Sequence, residues 1–227
     1  MPYKFSASSL GLLKECPRCF WIQFNKGIKR PESIFPSLPS GMDKVLKNHF
    51  DRFMERKELP PELRHLECMH GCSLFDDKEK LSLWRNNRKG IEWADKDGNI
   101  LKGAVDNILK KGEKLIVIDF KTRGFPLKED TATHYDDQLN IYNFLLRKNG
   151  FRTEDFSYLL FYYPSSVNED GSVVFSTELV KVDVDIEAAE KLFKDALKCL
   201  KGEMPVAAEG CEWCRWREKL TSEKIIN

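Results

Sequence analysis

No apolar run in this 227-residue sequence approaches the roughly 20 positions that a membrane-spanning helix needs, which excludes a helical span. The opening MPYKFSASS lacks both the basic start and the apolar stretch of a secretion signal, so a cytoplasmic location is expected. Charge of one sign is lacking too: 37 Lys and Arg face 36 Asp and Glu, for a net charge of +1. That excludes a protein that coats nucleic acid through a global basic field, while leaving room for an enzyme with a local basic cleft. Internal repeats, low-complexity tracts and a second-domain linker are also absent, so residues 1–227 are expected to form one domain. The composition, 41% hydrophobic and 32% charged, is that of an ordinary soluble protein.

Cysteine, by contrast, is abundant. Seven cysteines, an odd number in a chain without a secretion signal, argue against a disulfide framework and for metal ligation. Cys16-Pro-Arg-Cys19 stands near the start and Cys211-Glu-Trp-Cys214 near the end. A CxxC pair places two sulfurs on one side of a turn, and two such pairs predict a four-cysteine site. On chemistry alone, zinc and an iron–sulfur cluster suit it equally. Its expected role is to staple residues 16–19 to 211–214, with metal binding contributing folding free energy. A denser group, His65, Cys68, His70 and Cys72, has no familiar metal spacing and no further cysteine pair to complete it. Cys199 falls in an apolar helical stripe and reads as a small core residue.

Residues 5–26 read as two short helices broken at Cys16-Pro17, with Ser6 or Ser8 as N-cap and Pro17 at a first helical position. Residues 30–40 hold three prolines and read as a loop. Over 41–58, Met42, Val45, Leu46, Phe50, Phe53 and Met54 follow helical periodicity, with His49 on the same face. Residues 59–90 show no clear pattern. Residues 91–122 predict three strands with DKDGN and KKGEK as turns. A helix over 134–150, two strands (FSYLLFYY and SVVFSTELVKV) and an amphipathic helix over 185–202 follow. The order predicts an α/β fold, a mixed sheet with helices packed on it.

Within this order, the stretch GAVDNILKKGEKLIVIDFKT carries two acids and a lysine where strand chemistry prefers apolar residues. Antiparallel pairing across Gly112 brings Asp106 and Asp119 together. Two such carboxylates resist joint ionisation unless a cation lies between them. Carboxylates with a main-chain carbonyl make an all-oxygen site suited to Mg²⁺ or Mn²⁺. Lys121 points to the same side as Asp119, where it can position a water and stabilise charge on a phosphate. A turn acid and a solvated lysine would explain a lone Asp-x-Lys, but they leave the second acid unexplained.

VDNIL, VIDFKT and QLNIY together resemble the PD-(D/E)xK nucleases, specifically the RecB-like branch. The resemblance implies a restriction-endonuclease-like mixed central sheet flanked by helices. It implies catalytic roles for Asp106, Asp119, Lys121, Gln138 and Tyr142, the last two one turn apart on a helix face. The metal would be held by Asp106, Asp119, the carbonyl of Phe120 and His49. Val105 stands where the family has a proline. CPRCFW is similar to the start of the CRISPR-associated iron–sulfur exonucleases, the fourth Cas protein family. That likeness implies a 4Fe-4S cluster on Cys16, Cys19, Cys211 and Cys214, with zinc as the alternative. The family's usual arrangement is one N-terminal and three C-terminal cysteines, whereas this chain has two and two. The implied activity is Mg²⁺- or Mn²⁺-dependent hydrolysis of DNA phosphodiesters by a single-strand-preferring exonuclease. CRISPR adaptation or repair proteins are the implied partners, with no membrane involved. Trp21, Phe24 and Trp93 are candidates, by type, for stacking on unpaired bases. Two alternatives stay open: a silent DNA-binding or scaffold subunit with a nuclease fold, and an iron–sulfur redox sensor.

Overall fold

Ser6 starts the first helix with a capping box: its hydroxyl accepts from the Ser9 N–H, and the Ser9 hydroxyl oxygen accepts from the Ser6 N–H. The computed structural model describes residues 2–32 and 34–222. In chain order these form β1 (Lys4–Ser6), α1 (Ala7–Glu15), α2 (Pro17–Lys26), α3 (Ser37–Arg56), α4 (Pro61–Arg64), β2 (Cys72–Leu74) and α5 (Lys78–Trp84). Then come β3 (Ile91–Ala94), β4 (Ile100–Gly103), β5 (Asn107–Lys111), β6 (Lys114–Thr122), α6 (Asp136–Lys148), β7 (Phe156–Val167), β8 (Val173–Asp183), α7 (Ile186–Lys201) and α8 (Glu212–Ser222).

The strands make two sheets. The larger has the order β2-β5-β6-β7-β8, and the smaller β1-β4-β3. β6 and β7 run parallel while the other pairs of the larger sheet are antiparallel, so this sheet is mixed, as expected. A parallel neighbour needs a crossover, and α6 supplies it. The run Leu115–Phe120 of β6 is buried on both faces, the pattern of a strand covered by helices. α3 covers one face, where the Phe50 ring lies 4.6 Å from that of Phe120. α6 covers the other, buried continuously from Leu139 to Leu146 between the two sheets and α7.

Residues 91–122 form four strands where three were expected. After Gly103 the chain leaves the smaller sheet and enters the larger one, so GAVDNIL is broken at residues 104–106. The crossing is tied to α5: the Val105 N–H donates to the Trp84 carbonyl, and Arg85 Nε donates to the Asp106 carbonyl at 2.7 Å. The expected loop over 30–40 also ends early, because α3 begins at Ser37. Pro39 fits its first turn, where backbone N–H groups have no helical acceptor. Val45 is 60% exposed, so the buried stripe of α3 is the narrower set Leu46, Phe50 and Met54. Trp93 packs edge-on against Phe144 and Phe193, and Phe24 against Phe5. The Trp21 indole N–H donates to the Gly202 carbonyl at 3.1 Å. These three aromatics are therefore committed to packing. No helix among the described residues is long and apolar enough to cross a membrane.

Candidate active site and cysteine clasp

A two-residue turn, Gly112-Glu113, joins β5 to β6, and Gly112 takes a left-handed φ of 56° that needs no Cβ to be accommodated. The resulting ladder ends at Asn107 and Ile118, and the residues just beyond it on each strand are Asp106 and Asp119. Where β5 departs, Phe120 has no strand partner on that edge. Its N–H donates instead to Asp106 Oδ2 at 2.8 Å. In a strand the N–H and C=O of one residue point to the same edge, so the Phe120 carbonyl faces the Asp106 side.

Asp119 is 1% exposed. Burial first, and the nearby Asp106 charge second, push its carboxyl up to about 7 from an ordinary 3.8. Its Oδ2 abuts the Lys121 ammonium yet accepts no well-directed hydrogen bond. The Lys121 ammonium is thus the countercharge of this buried oxygen. Lys121 Nζ also donates to Gln138 Oε1 at 3.0 Å and lies 4.4 Å from the Tyr135 ring centroid. The other end of the same amide donates to Asp119 Oδ1 at 3.2 Å and to the Tyr142 hydroxyl oxygen at 2.6 Å. Tyr142 lies so close to the end of β4 that a Cβ on Gly103 would stand 2.7 Å from its ring. Its hydroxyl is pushed well above the usual range, by burial first and then by Asp119. Five of the expected residues, Asp106, Asp119, Lys121, Gln138 and Tyr142, thus share one neighbourhood. Gln138 and Tyr142 also line an open groove of about 590 Å³, with Ser6, Ser8, Gly11 and Lys102 on its other walls.

His49 is paired with Glu62 and with neither aspartate. Its Nε2 lies 3.0 Å from Glu62 Oε1, the oxygen to which the Tyr162 hydroxyl donates at 2.7 Å. Sequence reasoning missed three residues that the structure brings to Asp106. Lys47 Nζ lies 2.9 Å from Asp106 Oδ1 and 2.8 Å from Asp43 Oδ2, and Arg85 ties the Asp106 backbone to Asp51. The spacing of Asp43 and Lys47, one helical turn apart, was the available signal.

The two CxxC pairs meet at the far side of α1 and α2. All four Sγ atoms of Cys16, Cys19, Cys211 and Cys214 lie within 4.8 Å of one another. Three of the six separations are 3.8 Å for Cys16–Cys214, 3.7 Å for Cys19–Cys211 and 3.5 Å for Cys19–Cys214. The Ala208 N–H points at Cys16 Sγ from 3.5 Å, and Arg30 Nη2 at Cys211 Sγ from 3.7 Å. Burial opposes ionisation of Cys16, but the Ala208 and Cys19 N–H groups and neighbouring thiols outweigh it, giving about 6. Cys214 is pushed up by burial and by its neighbours. Four thiols in this position can all ionise only around a cation. Among the described residues no other three or more His, Cys, Asp or Glu side chains gather closely enough to share one ion. The group His65, Cys68, His70 and Cys72 is therefore not assembled as a metal site. Cys199 is half-buried, packed against the core as expected.

The sequence model of the PD-(D/E)XK nuclease superfamily matches residues 4–218. The chain belongs to this superfamily. No match was found among curated proteins. Membership implies phosphodiester hydrolysis, for which the superfamily typically uses a divalent metal.

Proposed function

We propose that the chain is a Mg²⁺- or Mn²⁺-dependent deoxyribonuclease that acts on single strands. The observation that carries this reading is the shared network of Asp106, Asp119, Lys121, Gln138 and Tyr142 around a carboxylate that is almost fully buried. Asp106, Asp119 and the Phe120 carbonyl would hold the metal, whose chemistry is to polarise the phosphate and lower the pKa of a bound water. Gln138 fixes Lys121 through one amide end and Asp119 through the other, so the ammonium is held where it can orient the attacking water. Tyr142, whose hydroxyl accepts from Gln138, keeps its own proton for a phosphate oxygen in the groove. A single strand as substrate is supported by a groove whose serines and Lys102 face Glu15 and Asp137 on its other walls, and by Phe125, outside that lining and 77% exposed as a stacking surface. Exonucleolytic action and a place in CRISPR adaptation or repair rest on the family resemblance alone. Residues 1–227 acting as one nuclease domain belongs to the same reading, supported by the family match over 4–218.

For the clasp the sulfur spacing favours zinc over the expected 4Fe-4S cluster. A tetrahedron with Zn–S bonds of about 2.3 Å has edges of about 3.8 Å, close to three of the six separations, 3.5–3.8 Å, with all six within 4.8 Å. A four-iron cluster puts each thiolate on a different iron across an iron–sulfide core and needs a wider cage. The clasp then serves to join the chain ends, and the redox-sensor alternative loses its cofactor.

Two experiments test this. Incubation of 5′- and 3′-labelled single- and double-stranded DNA with Mn²⁺ should degrade single strands faster, and the labelled end that is released identifies any exonuclease and its polarity. No degradation of any substrate would favour the scaffold alternative. Elemental analysis of protein purified without oxygen should give one zinc per chain and a colourless sample, while brown protein with about four irons would restore the cluster.

A further inference from the structure

The resemblance to RecB-like nucleases assigns a histidine of an upstream helix to the metal, yet α3 presents a different pair of side chains there. Asp43 and Lys47 lie one turn apart, on one face. A single ammonium, Lys47 Nζ, reaches both Asp43 Oδ2 at 2.8 Å and Asp106 Oδ1 at 2.9 Å. A cationic group therefore already joins the helix acid to the first hairpin acid. His49 is six residues beyond Asp43, about 120° around the helix from it, and its Nε2 is engaged with Glu62. Asp119, with a side chain 1% exposed, lies within reach of the charges of both Asp106 and Lys47. The three acids do not all stand close enough to share one ion, and the Lys47 ammonium bridges two of them.

We propose that Asp43, in place of His49, completes the ligand set of the catalytic metal, and that Lys47 is the built-in countercharge which the ion displaces. The inference rests on the proposed reading of Asp106 and Asp119 as a divalent-metal centre. It has a chemical consequence. A set of three carboxylates and a carbonyl is harder than one containing imidazole, and selects Mg²⁺ or Mn²⁺ against Zn²⁺ more strongly. The same chain would then sort its metals by ligand: sulfur for the clasp, oxygen for the active site.

The test is Mn²⁺ binding to the full chain with its clasp metal in place, read by electron paramagnetic resonance of free Mn²⁺ and by the Mn²⁺-induced shift in melting temperature. Asp43→Asn should weaken binding at least about tenfold, His49→Gln should leave it unchanged, and Lys47→Met should tighten it. All three are compared with their own melting temperatures without Mn²⁺, which separates misfolding from ligand loss; Asp43 and His49 are both partly exposed, so both variants should fold. Equal affinity in wild type and Asp43→Asn, or loss of binding in His49→Gln, overturns the assignment while leaving the metal centre intact. No Mn²⁺ binding by wild type overturns the metal centre itself and this inference with it.

Discussion

Asp106 and Asp119 are 13 positions apart and meet through one tight turn, whereas Cys16 and Cys214 are 198 positions apart and meet only when both chain ends are in place. Of the first pair, Asp119 lies on β6, the buried middle strand of the larger sheet, and Asp106 immediately before β5. The second closes the outside of the molecule, where α2 and α8 touch. Both bring together groups that repel one another when ionised, so both carry a cost that a cation removes. The difference lies in what the cost serves. On the proposed reading, it keeps a reactive centre poised at the aspartates and makes metal binding a contribution to folding at the cysteines.

That contrast predicts opposite signs for equivalent damage. Asp119→Asn should lower cleavage of single-stranded DNA by about 10²–10³-fold while raising the melting temperature of the metal-free protein, because it removes a buried charge held near Asp106. Cys16→Ser should instead lose the clasp metal and about 3 kcal/mol or more of stability, a fall in melting temperature of about 6–12 °C. At temperatures where it stays folded, its cleavage rate should match wild type. A clasp variant that loses activity at full stability would break the comparison.

A smaller effect is expected at the seam between the two sheets. Gly103→Ala would put a methyl 2.7 Å from the Tyr142 ring, so Tyr142 must shift. Cleavage should drop about tenfold, about 1.4 kcal/mol, with the clasp metal retained in elemental analysis. The subtlest prediction concerns pH. The Asp119 carboxyl stands near 7 in the folded protein against an ordinary 3.8, so the folded state holds a proton that the unfolded state has lost between those values. Its stabilising share is full below about pH 4 and is lost as pH rises through about 7. The melting temperature of metal-free wild type should therefore fall over that window more than that of Asp119→Asn, with a slope difference of at most about 1.4 kcal/mol per pH unit.

How far these regions were legible in the sequence follows from how they are built. Asp106, Asp119 and Lys121 could be placed because one turn and the two-residue period of a strand fix their relation. Gln138 and Tyr142 could be paired by helical spacing, and the two CxxC motifs announce their own geometry. Asp43, Lys47 and Arg85 were not found, because their meeting with Asp106 depends on how α3 and α5 are rotated against the sheet. His49 was placed on the inward face because Val45 and Phe53 widened the apolar stripe; with Val45 exposed, the face that meets Asp106 is the one bearing Asp43 and Lys47. The break at residues 104–106 was hidden for a similar reason: GAVDNIL reads as one strand, and only the bonds to Trp84 and Arg85 end it.

Single-stranded DNA cleavage as a function of Mn²⁺, with wild type and Lys121→Ala side by side, tests the central claim most directly. The account predicts no cleavage without metal, cleavage by wild type that rises with Mn²⁺, and a loss of about 10²–10³-fold in the variant at every metal concentration. Equal cleavage by the two proteins would contradict it.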